Sequence, residues 1–336
     1  MTSISIINSV QLSKVEQIAE SLRKEIEKGR LKKNDQLLSI NEFSEQYQFA
    51  RDTVEKAYKI LKKQGLIHSV PGKGYFVLGK PSKKLKVLLV MNKISAYKKI
   101  VYNTLIETFG GEVHISLHIH HYNIKLLKEI IEANLGKYHY FIIMPHFTYD
   151  VKQKEIKDLL SLIPDQELVT LDKKVGGLKK DCIEIFQDFE NDIYHALKDA
   201  QERLSKYKKI SVILREDGCH PREILKGINR FCEESGKAFE VLPDAENLKL
   251  QKKVLYIDTS EYDLALLIKK AHQKEYQLGR DIGILSFNET VLKDVLDIAV
   301  VTTDFEELGR KAATCILKNE TGKFKNPFQL IKRRSI

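Results

Sequence analysis

Residues 37–77 read LLSINEFSEQYQFARDTVEKAYKILKKQGLIHSVPGKGYFV. Ser39-Ile-Asn-Glu42 has the spacing of a capping box, in which hydroxyl and carboxylate satisfy each other's backbone N–H groups, so a short helix starts there with Phe43 and Tyr47 turned inward. The turn Gln48-Phe49-Ala50 follows. A second helix runs from about Arg51 to Gln64, because Val54, Ala57, Tyr58 and Leu61 recur at helical spacing. The runs 66–70 and 75–78 are strand-like and flank Pro71-Gly-Lys-Gly74, which reads as a tight hairpin. A basic helix backed by such a wing is a device for reading duplex DNA.

Working outward, Ser13-Lys-Val-Glu16 is another capping box, followed by Val15, Ile18, Ala19, Leu22 and Ile26 at helical spacing and closed by Gly29. On the helix that starts at Arg51, the buried stripe leaves Asp52, Lys56, Lys59 and Lys63 pointing away and frees Arg51 and Thr53 at its start. First-turn residues go deepest into a major groove, where an arginine can hold a guanine edge and a threonine methyl can meet a thymine methyl. The lysines further along suit phosphate, although a lysine row alone is commonly a solvated face, above all for Lys59 and Lys63. Lys73 at the hairpin tip can reach a groove or phosphate, but Pro-Gly-Lys-Gly by itself is an ordinary turn.

Together, residues 10–78 resemble the winged helix-turn-helix of the GntR family of bacterial transcription regulators. The resemblance implies DNA contact at Arg51 and Thr53, within Ala50-Arg51-Asp52-Thr53-Val54, and at Gly74, within Gly72-Lys73-Gly74. The sequence departs from the family pattern twice. Leu38-Ser39-Ile40-Asn41-Glu42 lacks the arginine of the family's second helix, and Glu55 stands where many members carry a second recognition arginine, so a non-standard operator is expected. The expected DNA-binding set is Ser39, Asn41, Arg51, Asp52, Thr53, Lys56, Lys73 and Gly74.

At 336 residues with 43% hydrophobic content, the chain is long enough for two folded units. Residues 1–80 carry 14 basic against 9 acidic side chains, so +5 of the +10 net charge lies in the first quarter, which suits a footprint on phosphates. Charge alone would only mark a soluble protein. Cys182, Cys219, Cys232 and Cys315 form no CxxC pair and read as reduced thiols. MTSISIINSV is no signal peptide, and no apolar run reaches membrane-spanning length, so a cytoplasmic protein without membrane contact is expected.

Gly79-Lys-Pro-Ser-Lys-Lys84 has linker composition, which places the DNA-binding unit at 1–78, a linker at 79–85 and a larger domain at 86–336. In that domain, apolar runs at 87–91, 113–119, 140–144, 168–171, 210–214, 254–257 and 282–287 alternate with helical patterns at 124–135, 193–204 and 264–271. The alternation predicts an α/β fold of mostly parallel sheets, in two lobes. Ligands of open α/β sheets settle past the carboxyl ends of strands. The residues there are polar: Asn92, Lys93 and Ser95, then His146, Asp172 and Lys173, Asp258 and Thr259, and Asn288 and Glu289. They suit a polyhydroxylated ligand, against the plain alternative that loop residues are polar by default.

The stretch Asp281-Ile-Gly-Ile-Leu-Ser-Phe-Asn-Glu289, with Val301-Thr-Thr-Asp304-Phe-Glu-Glu-Leu-Gly309, resembles the LacI-type regulators and periplasmic sugar-binding proteins. So do His220-Pro-Arg222 with Gly227, and Gln329-Leu-Ile-Lys-Arg-Arg-Ser335. The resemblance covers about residues 86–336 and implies two Rossmann-like lobes with crossovers near Phe189, Thr303 and Gly322, and an effector in the cleft. It carries sugar-hydroxyl roles onto Asp258 and Asn288, although the family usually has Asp at the latter position. Ile224 stands where the family's ligand arginine lies, and Arg222 is two residues earlier. The expected effector-binding set is Asn92, Ser95, His146, Asp172, Arg222, Asp258 and Asn288.

His114, His118, His120 and His121 invite a metal reading, but the apolar alternation of Val113, Ile115, Leu117 and Ile119 makes this a half-buried strand with a wet polar face. No GxGxxG, Walker, GxSxG or HExxH motif occurs, and no cofactor is expected. A pyridoxal-phosphate domain of aminotransferase type would need a longer chain and a recognisable Schiff-base lysine. The expectation is a non-enzymatic, homodimeric transcription regulator that binds a pseudo-palindromic double-stranded operator under control of a sugar-like effector. The alternative is a ligand-independent dimeric DNA-binding protein with a degenerate sensor.

Overall fold

Both predicted capping boxes form in the computed structural model, which describes residues 4–7, 12–78, 84–111, 113–215 and 220–336. Helix α1 (Lys14–Glu27) starts at Ser13 and α2 (Ile40–Tyr47) at Ser39, each serine accepting from the N–H three residues on. The left-handed Gln48 turns the chain into α3 (Arg51–Lys63). Strands β1 (Ile67–Val70) and β2 (Gly74–Val77) pair antiparallel as the wing. Ile18, Leu22, Ile26, Phe43, Val54, Ala57, Tyr58 and Leu61 fill the core between the three helices with no solvent exposure. Each Ile, Leu, Val or Phe among them contributes roughly 1.5–3 kcal/mol on burial.

The linker segment 79–83 lies outside the described residues, and Leu85 already belongs to the next strand. The first lobe holds β3 (Leu85–Met91), α4 (Ala96–Phe109), β4 (Val113–Ile119), α5 (Ile124–Asn134), β5 (Tyr140–Ile143), α6 (Gln153–Leu160), β6 (Leu168–Lys173) and β7 (Ile183–Gln187). The chain then crosses into the second lobe, with α7 (Phe189–Asp199), α8 (Gln201–Leu204), β8 (Lys209–Ile213), α9 (Glu223–Ser235), β9 (Ala238–Leu242), β10 (Val254–Asp258), α10 (Glu261–Gln273), β11 (Gly283–Phe287), α11 (Val291–Val295) and β12 (Ala299–Thr303). Helix α12 (Phe305–Lys318) and β13 (Gly322–Lys325) return to the first lobe, and β14 (Phe328–Ile331) ends in the second. The strand orders are β13-β7-β6-β5-β3-β4, all parallel, and β14-β12-β11-β10-β8-β9, parallel except for β14.

Two crossovers fall where expected, at 187–189 and 303–305. The third does not: Gly322 opens β13, which pairs with β7, and the chain changes lobes at Asn326-Pro327. Glycines set two helix contacts. A Cβ on Gly227 would sit 2.1 Å from Glu190 O of α7, and one on Gly309 would sit 2.8 Å from Val101 O of α4.

The histidine strand is half-buried as expected, with Val113, Ile115 and Ile119 packed against the first-lobe core, but Leu117 and His120 depart from the pattern. β4 is an edge strand, and Leu117 on its apolar face is 41% exposed. His120 lies past it, fully buried, its Nε2 3.1 Å from Met144 O, and burial pushes its pKa down to about 4. Among the described residues, no group of His, Cys, Asp and Glu is arranged to hold a metal. Cys182, Cys232 and Cys315 are buried and unpaired, and Cys219 lies outside the described residues.

Helix α1 is docked on the first lobe through buried charge. Lys24 Nζ lies 3.2 Å and Lys28 Nζ 3.6 Å from Glu167 Oε1, and Lys28 also sits 4.3 Å from the Tyr140 ring centre. His139 Nδ1 accepts from the Lys86 N–H (2.9 Å), and its Nε2–H donates to Glu27.

Candidate DNA-binding face and effector cleft

The expected DNA-binding residues sit at the start of α2, the start of α3 and the tip of the wing. Ser39 is occupied as a cap, accepting from Glu42 N–H (3.2 Å) while its own N–H donates to the Glu42 carboxylate (2.8 Å), and Asn41 is exposed beside it. Arg51 is exposed, and Thr53 is half-buried behind it. The helix N-cap is Ala50, which supplies no side-chain acceptor and leaves first-turn N–H groups open to an anion. Lys56 is not a free cation: its Nζ lies 2.7 Å from Asp52, and Lys59 is paired in the same way with Glu55 (2.6 Å). At the wing, Lys73 N–H donates to Val70 O (3.0 Å) across Pro71-Gly72, with Gly72 at φ 72° and Gly74 at φ 101°. This turn needs glycine at both positions and presents Lys73 to solvent.

Between the lobes lies a cleft of about 320 Å³, at the lower end of the usual range for small-molecule pockets. Asn92, His146, Asp172 and Asn288 all line it, each just past or at the end of a strand. Asp172 Oδ2 accepts from His146 Nε2 (2.9 Å) and lies 3.3 Å from Lys98 Nζ, a lysine that is itself 3% exposed. Burial alone would raise the Asp172 carboxyl; the Lys98 ammonium and His146 outweigh it and hold the group well below the usual carboxylate range. Burial lowers His146 despite Asp172. Asn92 is 3% exposed, and among the described residues its Oδ1 has no hydrogen-bond partner. Tyr122, Asp172 and Asn288 all adopt positive φ (59°, 75° and 64°), so three lining residues hold backbone strain, which accumulates at ligand sites.

Three expected effector residues do not line the cleft. Ser95 caps α4, its hydroxyl accepting from Lys98 N–H (3.4 Å). Arg222 stacks on the Tyr149 ring (4.1 Å), and the Tyr149 hydroxyl donates to His220 O (2.8 Å), so this pair ties the two lobes together beside the cleft. Asp258 has no exposure: Ser286 Oγ donates to it (2.9 Å), and burial raises its pKa to about 7 against the opposing pull of Lys293. Ile224 does line the cleft.

Sequence reasoning left Lys93, Tyr97, Lys98 and the aromatic wall of Phe189, Phe287, Phe305 and Phe328 out of the effector set. Phe189 and Phe305 follow immediately after crossovers, and that position was the available signal. A larger recess of about 600 Å³ separates α1 and α3 from β4. Two of its charged groups are engaged locally, Glu16 with Ser13 and Arg23 with Glu20.

A family model described as "Bacterial regulatory proteins, gntR family" matches residues 14–77. The HTH-type transcriptional repressor YtrA of Bacillus subtilis (strain 168) is 30% identical over 100 residues, which make up 30% of this chain and 74% of YtrA. The chain belongs to the gntR family of bacterial regulatory proteins. This gntR-family chain is also 27% identical over 126 residues to the HTH-type transcriptional regulator TreR of the same organism, 38% of the chain, and spans 48% of that relative's length. Two solved structures share its fold at 13% identity. The Lac repressor bound to ONPG in the repressed state superposes with a TM-score of 0.61 over 85% of this chain and 90% of its own. The trehalose repressor from Escherichia coli does so with 0.60, over 74% of this chain and 100% of its own. The gntR-family chain is thus a transcription regulator with a helix-turn-helix, joined to a two-lobed domain of LacI and periplasmic-binding-protein type, and these relatives and neighbours are regulators rather than enzymes. Among its described residues, no helix is long and apolar enough to cross a membrane.

Proposed function

We propose that this regulator binds a pseudo-palindromic operator as a homodimer, and that a small hydroxylated effector, a sugar or sugar derivative, binds between the lobes and changes its DNA affinity. Residues 1–78 form the DNA-binding unit, 79–85 the connection and 86–336 the sensing and dimerising domain, acting in the cytoplasm. The observation that carries the effector reading is the buried Asn92, whose Oδ1 finds no partner among the described residues while lining a cavity with Asp172, His146 and Asn288. An unpaired buried carbonyl is costly, and a ligand hydroxyl would satisfy it. Arg51, Thr53 and Lys73 supply the DNA contacts. The name of the trehalose repressor gives that neighbour a sugar, which is consistent with this reading. A second copy fits the exposed apolar cluster of Val291, Leu292 and Val295 on α11 with Leu296 at its C-cap, exposed by 50–80%. Ligand closure of the lobes would shift the spacing of two winged helices.

Arg51→Ala should lose about 1–3 kcal/mol of affinity for an operator selected from random DNA, with the melting temperature unchanged. Equal affinity would remove Arg51 from the interface. A thermal-shift screen with sugars and their derivatives tests the sensor, since a ligand raises the unfolding temperature by mass action. Ile224 in the cleft favours one second reading, a sensor that has lost its ligand. Silence across the screen with operator binding intact would select it.

A further inference from the structure

The cleft is unbalanced in charge. Its charged lining residues are Lys93, Lys98 and Asp172. Lys98 is neutralised by Asp172 at 3.3 Å, and His146 donates to the same carboxylate oxygen. An imidazole lowered by burial adds no charge at neutral pH. That leaves Lys93, at the carboxyl end of β3 and half-buried. Among the described residues, no carboxylate lies within ion-pair distance of it; its neighbours are the hydroxyls of Tyr97 and Tyr122. Burial opposes its charge, but those two tyrosines raise it above the ordinary lysine value, so the ammonium persists. A persistent ammonium that lines the cavity and faces hydroxyls rather than a carboxylate is a charge-assisted donor for an anion entering the cleft.

The rest of the wall suits the body of such a ligand. Tyr97 stacks on Phe305 at 4.9 Å between ring centres, and Phe189, Phe287 and Phe328 extend the apolar surface. Asn92 Oδ1, buried and unpaired, is an acceptor for a hydroxyl. We infer that the effector is an anionic polyol, a sugar ring or chain bearing a carboxylate or a phosphate, and that Lys93 receives the anionic group while Asn92 takes a hydroxyl. This rests on the effector reading above and narrows it.

The test is isothermal titration of the full chain with neutral hexoses, their uronic and aldonic acids and their 6-phosphates, repeated with Lys93→Gln and Lys93→Arg. At least one acidic member is expected to bind tenfold or more tightly than its neutral parent. Lys93→Gln should bring that affinity down to the parent's level without changing the parent's own, and Lys93→Arg should keep most of the preference. Whether carboxylates or phosphates carry the preference identifies the anion. A neutral parent that binds as tightly as its acids, or a preference that survives Lys93→Gln, overturns the inference and leaves the sugar reading standing. Absence of binding by every compound overturns the sugar reading and this inference with it.

Discussion

Two charge clusters do opposite things in this molecule. Where α1 meets the first lobe, Arg23, Lys24, Lys28 and Arg30 face Glu20, Glu25, Glu27 and Glu167, and every one of the eight is in an ion pair with another. Four cations and four carboxylates close the account within the protein. In the cleft, Lys98 and Asp172 cancel and Lys93 is left over. A cluster whose charges all find counter-ions has no use for a charged ligand; one with a charge left over is prepared for a guest. The first ties α1, and with it the DNA-binding unit, to the lobe through Glu167.

The comparison breaks most visibly at Glu167. It is 5% exposed and serves two ammonium groups, so Glu167→Ala strands both. Removing one partner of a buried ionic group costs about 3–5 kcal/mol, and urea unfolding should show a loss of that order. A midpoint unchanged from wild type would mean that the seam carries no stability.

Asp258→Asn is the next largest, and its sign depends on pH. The folded state holds the Asp258 proton up to about 7, while the unfolded chain releases it near the ordinary aspartate value. Between those values the native state binds more protons than the unfolded one, so wild-type stability falls as pH rises through the window and stays low above it. The amide avoids that loss. Its advantage should open between pH 4 and 7 and reach about 1–3 kcal/mol at pH 8. A constant gap across that range would show that Asp258 does not titrate there.

Asp172→Asn probes the cleft in the same way as Glu167→Ala probes the seam, but with a smaller loss, about 1–2 kcal/mol in thermal unfolding, because the cavity lets water reach Lys98. A loss as large as that of Glu167→Ala would erase the distinction between the two clusters.

How far these clusters could be foreseen depended on sequence distance. Ser13 with Glu16 and Ser39 with Glu42 interact across three residues, and the helices they start were legible at once. The strand at Val113–Ile119 was legible as an apolar alternation. β7 was not: Glu184 interrupts it, yet that carboxylate is fully buried, accepting from Val175 N–H (2.7 Å) and pairing with Lys323. Lys24 meets Glu167 across 143 positions and Lys98 meets Asp172 across 74, and no local pattern announces either. Asp172 and Asp258 both stand at strand ends and read alike in sequence. Only packing separates them, because Ser286 on β11 and Lys293 on α11 enclose Asp258 while Asp172 faces the cavity.

The subtlest break is Lys28→Met. Lys28 is 3% exposed, its Nζ has no hydrogen-bond partner, and Glu167 is already served by Lys24 at a shorter distance. Burial pushes its pKa down to about 7, with Glu167 opposing. Below that pH both folded and unfolded states hold the proton and the full cost of the buried ammonium is present. Above it the native lysine gives up its proton while the unfolded one keeps it up to its ordinary value, so the unfolded state binds more protons and wild-type stability rises with pH. A methionine of similar length keeps the contact with the Tyr140 ring and has no charge to bury. The variant should therefore match or exceed wild type by up to about 1 kcal/mol at pH 7, and the advantage should shrink toward pH 10. A methionine variant less stable than wild type at pH 7 would mean that the fourth cation is needed for balance, and that the seam is held by charge count rather than by the Lys24–Glu167 pair alone.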